Sequence, residues 1–156
     1  MVYILGGWQS DFAENWTRKG WAIADAFADT LANGLEAAKL EPEEIETGHV
    51  GNFAGELFNG QGHLGGFFAL ADPKFDGMPA MRHEAACASG SVAILAAAAE
   101  IEAGRYDLAC VVGIEQMRNV SGTEAARHLG AAAWAGHEYT DTPYAWPRAF
   151  SDLNEE

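Results

Sequence analysis

Apolar residues in this chain recur with two periods, and the alternation between them marks out the elements. Val2-Tyr3-Ile4-Leu5 is a short continuous apolar run halted at Gly6-Gly7, the pattern of a buried first strand and a turn. From about Gly20 to Lys39 the residues Trp21, Ile23, Ala24, Phe27, Leu31, Leu35 and Ala38 fall at helical spacing, with Asp25, Asp29 and Glu36 between them. This helix is expected to cover one face of a sheet. Pro42 among Glu41, Glu43 and Glu44 marks a short helical start, and Ile45 to Phe53 reads as a second strand. The glycine-rich stretch Asn59 to Gly66 leads into apolar Phe67 to Leu70, which Asp72-Pro73 ends. Pro79 to Ala86 is the next strand, Ala88 to Ala103 a helix closed by Gly104, and Leu108 to Ile114 the strand with the strongest buried pattern. Strands alternating with helices predict an α/β layered fold with a mainly parallel sheet.

Beyond Gln116 the texture changes. Ala131 to Gly136 and the aromatic, proline-bearing Tyr139 to Trp146 show no strand period and read as an excursion, and Phe150 and Leu153 stand three apart as at the start of an amphipathic helix. The expected division is therefore an α/β unit over residues 1–117 and a second, incomplete unit over 118–156.

Composition narrows the classes. With 156 residues and 49% hydrophobic content, one globular core is expected. Apolar runs break well before the ~18 residues of a membrane span, so no span and a cytoplasmic location are expected. The net charge of −14, from 23 acidic residues against 9 Lys and Arg, argues against nucleic acid as a partner. The scattered cations also leave a phosphate-rich ligand in need of help from elsewhere. Two cysteines make no disulfide framework, and Cys110, inside Leu108 to Val112, has the setting of a buried inert thiol.

Cys87 differs. It stands where an apolar strand gives way to an alanine-rich helix, and Ser89, Gly90 and Ser91 keep the first turn small and polar. Backbone N–H groups and the positive end of a helix dipole favour a thiolate there, the form that attacks carbonyl carbon. The competing reading is a small core residue at a tight junction among Ala85, Ala86 and Ala88. Of the histidines, His83 lies four residues before Cys87 on a strand, more than ~10 Å along it at about 3.3 Å per residue, and makes a poor base. His49, His63, His128 and His137 read as structural or surface residues, and no His–Cys spacing supports a metal. Gly60, Gly62 and Gly65 form a G-x-G-x-x-G, but no acidic ribose partner ends the next strand, so a dinucleotide-binding dehydrogenase ranks last.

Three segments together carry a resemblance: Glu84 to Ser91 around Cys87, Ala96 to Asp107 with its helix ending at Ala103-Gly104, and Val111 to Met117 with its G-x-E-x-M close. In this order and at these separations they resemble the thiolase family, with Gly130 to Glu138 looking most like the branch of sterol carrier protein thiolases and bacterial acetyl-CoA acetyltransferases. The resemblance implies a thiolase-type N-terminal domain with a mainly parallel or mixed sheet, followed by the start of a loop domain. It implies acyl transfer, as thiolysis or Claisen condensation, with Cys87 as acyl acceptor and Ser89 and Gly90 at the substrate. The coenzyme A thioester is the substrate, and no separate cofactor is implied. The family's activating histidine, asparagine motif and second cysteine have no match here. The expectation is thus a truncated gene product or one subunit of a split enzyme, working as a homodimer or as a hetero-oligomer with a chain supplying the missing groups. Rival readings are a catalytically silent scaffold and a thiolase-related aldolase subunit.

Overall fold

The computed structural model of the chain describes residues 1–133. Its centre is a three-stranded, wholly parallel sheet in the order β2-β1-β3, with β1 at Thr47–Gly51, β2 at Ala80–His83 and β3 at Ala109–Gly113. The predicted α/β layering is present. β1 is buried at every position because it is central and covered on both faces. β3, expected to be the most buried strand, is mostly half-buried, since it lies at the sheet edge.

The two faces of β1 differ chemically. Val50 and Gly48 turn toward helix α1 (Ile23–Ala38) and helix α3 (Phe67–Ala71), where Phe27 meets Phe67 and Phe68 edge-on at 5.6 and 5.2 Å. The Phe68 ring lies against Gly48 so closely that a β-carbon there would sit 2.5 Å from it. Thr47, His49 and Gly51 face the opposite way, onto α4 (Ser89–Glu102). α1 forms as its periodicity predicts: Ile23, Ala26, Phe27 and Leu31 are buried, Asp25 accepts a hydrogen bond from Ala22 N at 2.8 Å, and Lys39 ends it in a left-handed conformation.

Two further expectations are corrected. Val2 to Gly6 forms no strand: Tyr3, Ile4 and Leu5 are 71, 87 and 64% exposed, and the segment lies along the groove beside β3 and α1 without backbone hydrogen bonds to either. An apolar run becomes a strand only when an edge accepts its ladder. The stretch after Gln116, where the sequence pattern gave no element before the excursion, holds helix α5 at Gly122–Leu129. Ser121 caps it by accepting from Glu124 N at 3.2 Å, and Glu124 stands three residues on, a start pattern readable in the sequence. A short helix α2, Gly55–Asn59, was likewise unforeseen. The expectations for Trp134 to Trp146, His137, Phe150 and Leu153 lie outside the described residues.

Candidate functional site

All three strands run the same way, so their carboxyl ends share one edge of the sheet, where ligands of open α/β sheets bind. Cys87 follows β2 at that edge. The chain turns there on Ala86, whose φ of +48° is a left-handed conformation costly to any residue bearing a β-carbon. The turn is closely hydrogen-bonded: Ala88 N donates to Ala85 O at 2.9 Å, Ser89 N to Ala86 O at 3.1 Å and Ala86 N to Glu84 Oε1 at 2.6 Å. Cys87 is exposed at its tip, and α4 starts two residues later with no side chain capping its first turn.

The predicted neighbours take different parts. Ser89 is 5% exposed, and its hydroxyl accepts from Ala85 N at 2.9 Å and donates to Ala86 O at 2.7 Å, so it braces the turn from within. Gly90 packs against β1 so tightly that a β-carbon on Gly51 would lie 2.6 Å from its Cα. Glycine at 51 is what allows α4 to deliver the turn to the strand ends.

Cys87 opens onto a pocket of ≈ 320 Å³ whose walls include Asn52, Phe53, Gly113, Glu115 and Met117. Asn52 and Glu115 follow β1 and β3, and their direct role escaped sequence reasoning, although their place after apolar strands was the available signal. Asn52 is 1% exposed, donates to Ile114 O at 2.8 Å and to Glu115, and accepts from Gly55 N at 3.0 Å. Glu115 accepts from Phe53 N and Ala54 N at 2.9 and 3.2 Å. Burial pushes its carboxyl above the ordinary range, while these hydrogen bonds and the Arg82 charge pull the other way. Arg82 ties β2 to the end of β1 by donating to Asn52 O, Phe53 O and the Glu56 carboxylate.

Among the described residues no histidine lines this pocket. His49 and His83 pair with each other beneath α4, His63 is exposed, and His128 is buried edge-on to Phe58 at 4.9 Å. Cys110 sits away from the pocket with its thiol pushed up to about 11 by burial. The glycine run has local duties: Gly60 caps α2 with φ +64°, and Gly65 abuts the backbone of Ala80. The run follows a helix, so the strand-to-helix context of a dinucleotide fingerprint is missing. Among the described residues no cluster of three or more His, Cys, Asp or Glu is arranged to hold a metal, and no helix is long and apolar enough to cross a membrane.

Comparison with known proteins gives the same frame. A family model described as thiolase, N-terminal domain, matches residues 2–143. The chain is 34% identical over 119 residues to an acetyl-CoA acetyltransferase of Methanocaldococcus jannaschii, covering 76% of this chain and 29% of that protein. It is 29% identical to an acetyl-CoA acetyltransferase of Methanothermobacter thermautotrophicus (76% of this chain, 30% of that one). It is also 28% identical to the non-specific lipid-transfer protein-like 2 of Caenorhabditis elegans (74% and 27%). The chain thus spans under a third of the length of these relatives.

Proposed function

This chain belongs to the thiolase family, matching its N-terminal domain, and from that premise we propose that Cys87 is the acyl acceptor of a thiolase-type acyltransferase acting on coenzyme A thioesters. The observation that carries the reading is the position of Cys87: exposed on a left-handed turn, at the carboxyl edge of a parallel sheet, directly before an uncapped helix start. In the proposed step the Cys87 thiolate attacks the thioester carbonyl carbon, the new S–C bond forms as the bond to the coenzyme A sulfur breaks, and coenzyme A leaves as the thiol after taking a proton. The Cys87 amide, which the turn's own hydrogen bonds leave unengaged, is the proposed donor to the carbonyl oxygen as charge develops on it, with the Ser89 hydroxyl holding the turn's geometry. The base that activates Cys87 and the second cysteine of the family mechanism are assigned to sequence beyond this segment or to a partner chain. Residues 118–156 are assigned to the start of the loop domain.

The test is to incubate the chain with acetyl-CoA, with and without a polypeptide supplying the remaining thiolase motifs, and to map acetyl groups by mass spectrometry. Acetyl on Cys87, lost in Cys87→Ala, supports the reading. Acetyl absent from Cys87 under both conditions overturns it.

One observation favours a second reading, a partner-binding subunit without its own chemistry. α4 leaves Leu95 68% exposed on the side away from the sheet, with Val92 and Ile94 on its two flanks 37 and 51% exposed, apolar side chains that another polypeptide could cover. A co-purifying chain that forms a stable complex but yields no acetyl-Cys87 would select it.

A further inference from the structure

The sheet face beneath α4 holds a polar cluster that the proposed acyl transfer does not use. α4 turns Ser89, Ala93, Ala97 and Glu100 toward the sheet, so Glu100 is the one acid on that stripe. Opposite it stands His49, fully buried, with both ring nitrogens engaged: Nε2 lies 3.2 Å from Glu100 Oε2 and Nδ1 lies 2.9 Å from His83 Nε2. The two imidazoles stack at 5.1 Å with planes 15° apart. Thr47 Oγ1 completes the set, 3.3 Å from both Glu100 Oε2 and Pro79 O.

One proton arrangement satisfies this chain with both rings neutral. The ionised carboxylate only accepts, so His49 carries its proton on Nε2. Its Nδ1 then accepts, and His83 donates from Nε2. The charged or titratable groups facing the pair are Glu100 from α4 and the two histidines of β1 and β2. β3 presents Ala109, Val111 and Gly113 on this face, none of which titrates.

The connectivity gives the cluster a purpose. His83 ends β2, the strand leading into the Cys87 turn, and Glu100 lies on α4, the helix leading out of it. His49, on β1 between them, holds both. α4 therefore meets β1 at two places, the Gly51–Gly90 contact at its first turn and the Glu100–His49 contact about 15 Å further along its axis. We propose that His49, His83 and Glu100 are positioning residues for Cys87, a buried hydrogen-bonded clamp that fastens both arms of the nucleophile turn to the central strand. The clamp rests on the reading of Cys87 as a nucleophile for its purpose, but not for its existence.

Protonating His83 adds a proton at its Nδ1 and leaves its Nε2–H bond to His49 in place, so the clamp loosens through the cost of placing a charge in the cluster and not through a lost bond. Burial and the neighbouring His49 hold His83 below the usual histidine range, with Glu100 opposing them. A histidine lowered by folding contributes stability that is complete above the unfolded value near 6.5 and is lost as pH falls through the folded value.

Two readouts on the full chain test this, both over about pH 5 to 8.5. The first is the iodoacetamide rate at Cys87, corrected for the pH dependence of a free thiol. The wild type should show an extra decline below about pH 6.5. His83→Gln, which can still donate to His49 but cannot titrate, should lose that decline. Glu100→Ala should slow the rate about tenfold, the scale of one lost buried partner, and Glu100→Gln should restore part of it. The second is amide hydrogen exchange across residues 84–102, comparing variants at equal pH. Faster exchange in Glu100→Ala, and in the wild type relative to His83→Gln at pH 6, supports the clamp even if Cys87 proves unreactive, which would count against acyl transfer alone. Exchange and corrected alkylation profiles unchanged in both His83→Gln and Glu100→Ala would overturn it.

Discussion

At the residue scale, reactivity at the two cysteines is decided by setting. Cys110 faces the core from β3, half-buried, and burial pushes its thiol up to about 11, so it holds far less thiolate near neutral pH than a free cysteine does. Cys87 stands exposed. Limiting iodoacetamide in native buffer should therefore alkylate Cys87 well before Cys110, and denaturation should equalise them. Comparable native labelling of the two, read by peptide mass, would contradict the burial of Cys110. The left-handed Ala86 makes a second prediction. Its β-carbon costs about 1 kcal/mol in that conformation, so Ala86→Gly should raise unfolding stability by about 0.5–1 kcal/mol in urea titration. A clear loss of stability would mean the turn does not adopt this φ in solution. The position of Cys87 was legible in the sequence as an apolar run meeting an alanine-rich one. The bracing role of Ser89 was not, because a hydroxyl that serves the backbone and one that serves a ligand look alike until the turn is folded.

At the element scale, the delivery of α4 depends on the absence of a side chain. Gly51→Ala would place a β-carbon 2.6 Å from Gly90 Cα, and backbone cannot rotate away as a side chain can. The variant should lose about 1–3 kcal/mol of stability, measured by urea unfolding, and should alter the Cys87 alkylation rate as α4 is displaced. A variant matching the wild type in both would show that α4 does not sit so close to β1. The helices with the clearest patterns, α1 and α4, were readable, α1 from its stripe and α4 from its alanine run ending at Gly104. Val2 to Gly6 was misread because strand formation depends on a partner edge, which no local pattern encodes. α5 is short and polar, so no long apolar stripe marks it, although Ser121 and Glu124 spell out its cap.

At the scale of the whole molecule, charge is the dominant global term. A net −14 repels itself, and the repulsion reaches about 30 Å at ~10 mM salt but about 10 Å at ~100 mM. The melting temperature should therefore rise as sodium chloride is raised across that range, and a flat or falling curve in calorimetry would show that local ion pairs such as Lys74–Glu43 outweigh the global term. What the sequence by itself determined is the α/β class, the helices with strong periodicity, the family, and Cys87 as the residue of interest, because these follow from local periodicity and contiguous motifs. Only the tertiary structure decided that Asn52 and Glu115 wall the same pocket as Cys87, that His49, His83 and Glu100 meet beneath α4, and that Gly51 must be glycine. Those partners lie tens of residues apart, and their meeting depends on the parallel register of three strands and on how closely a helix can approach them.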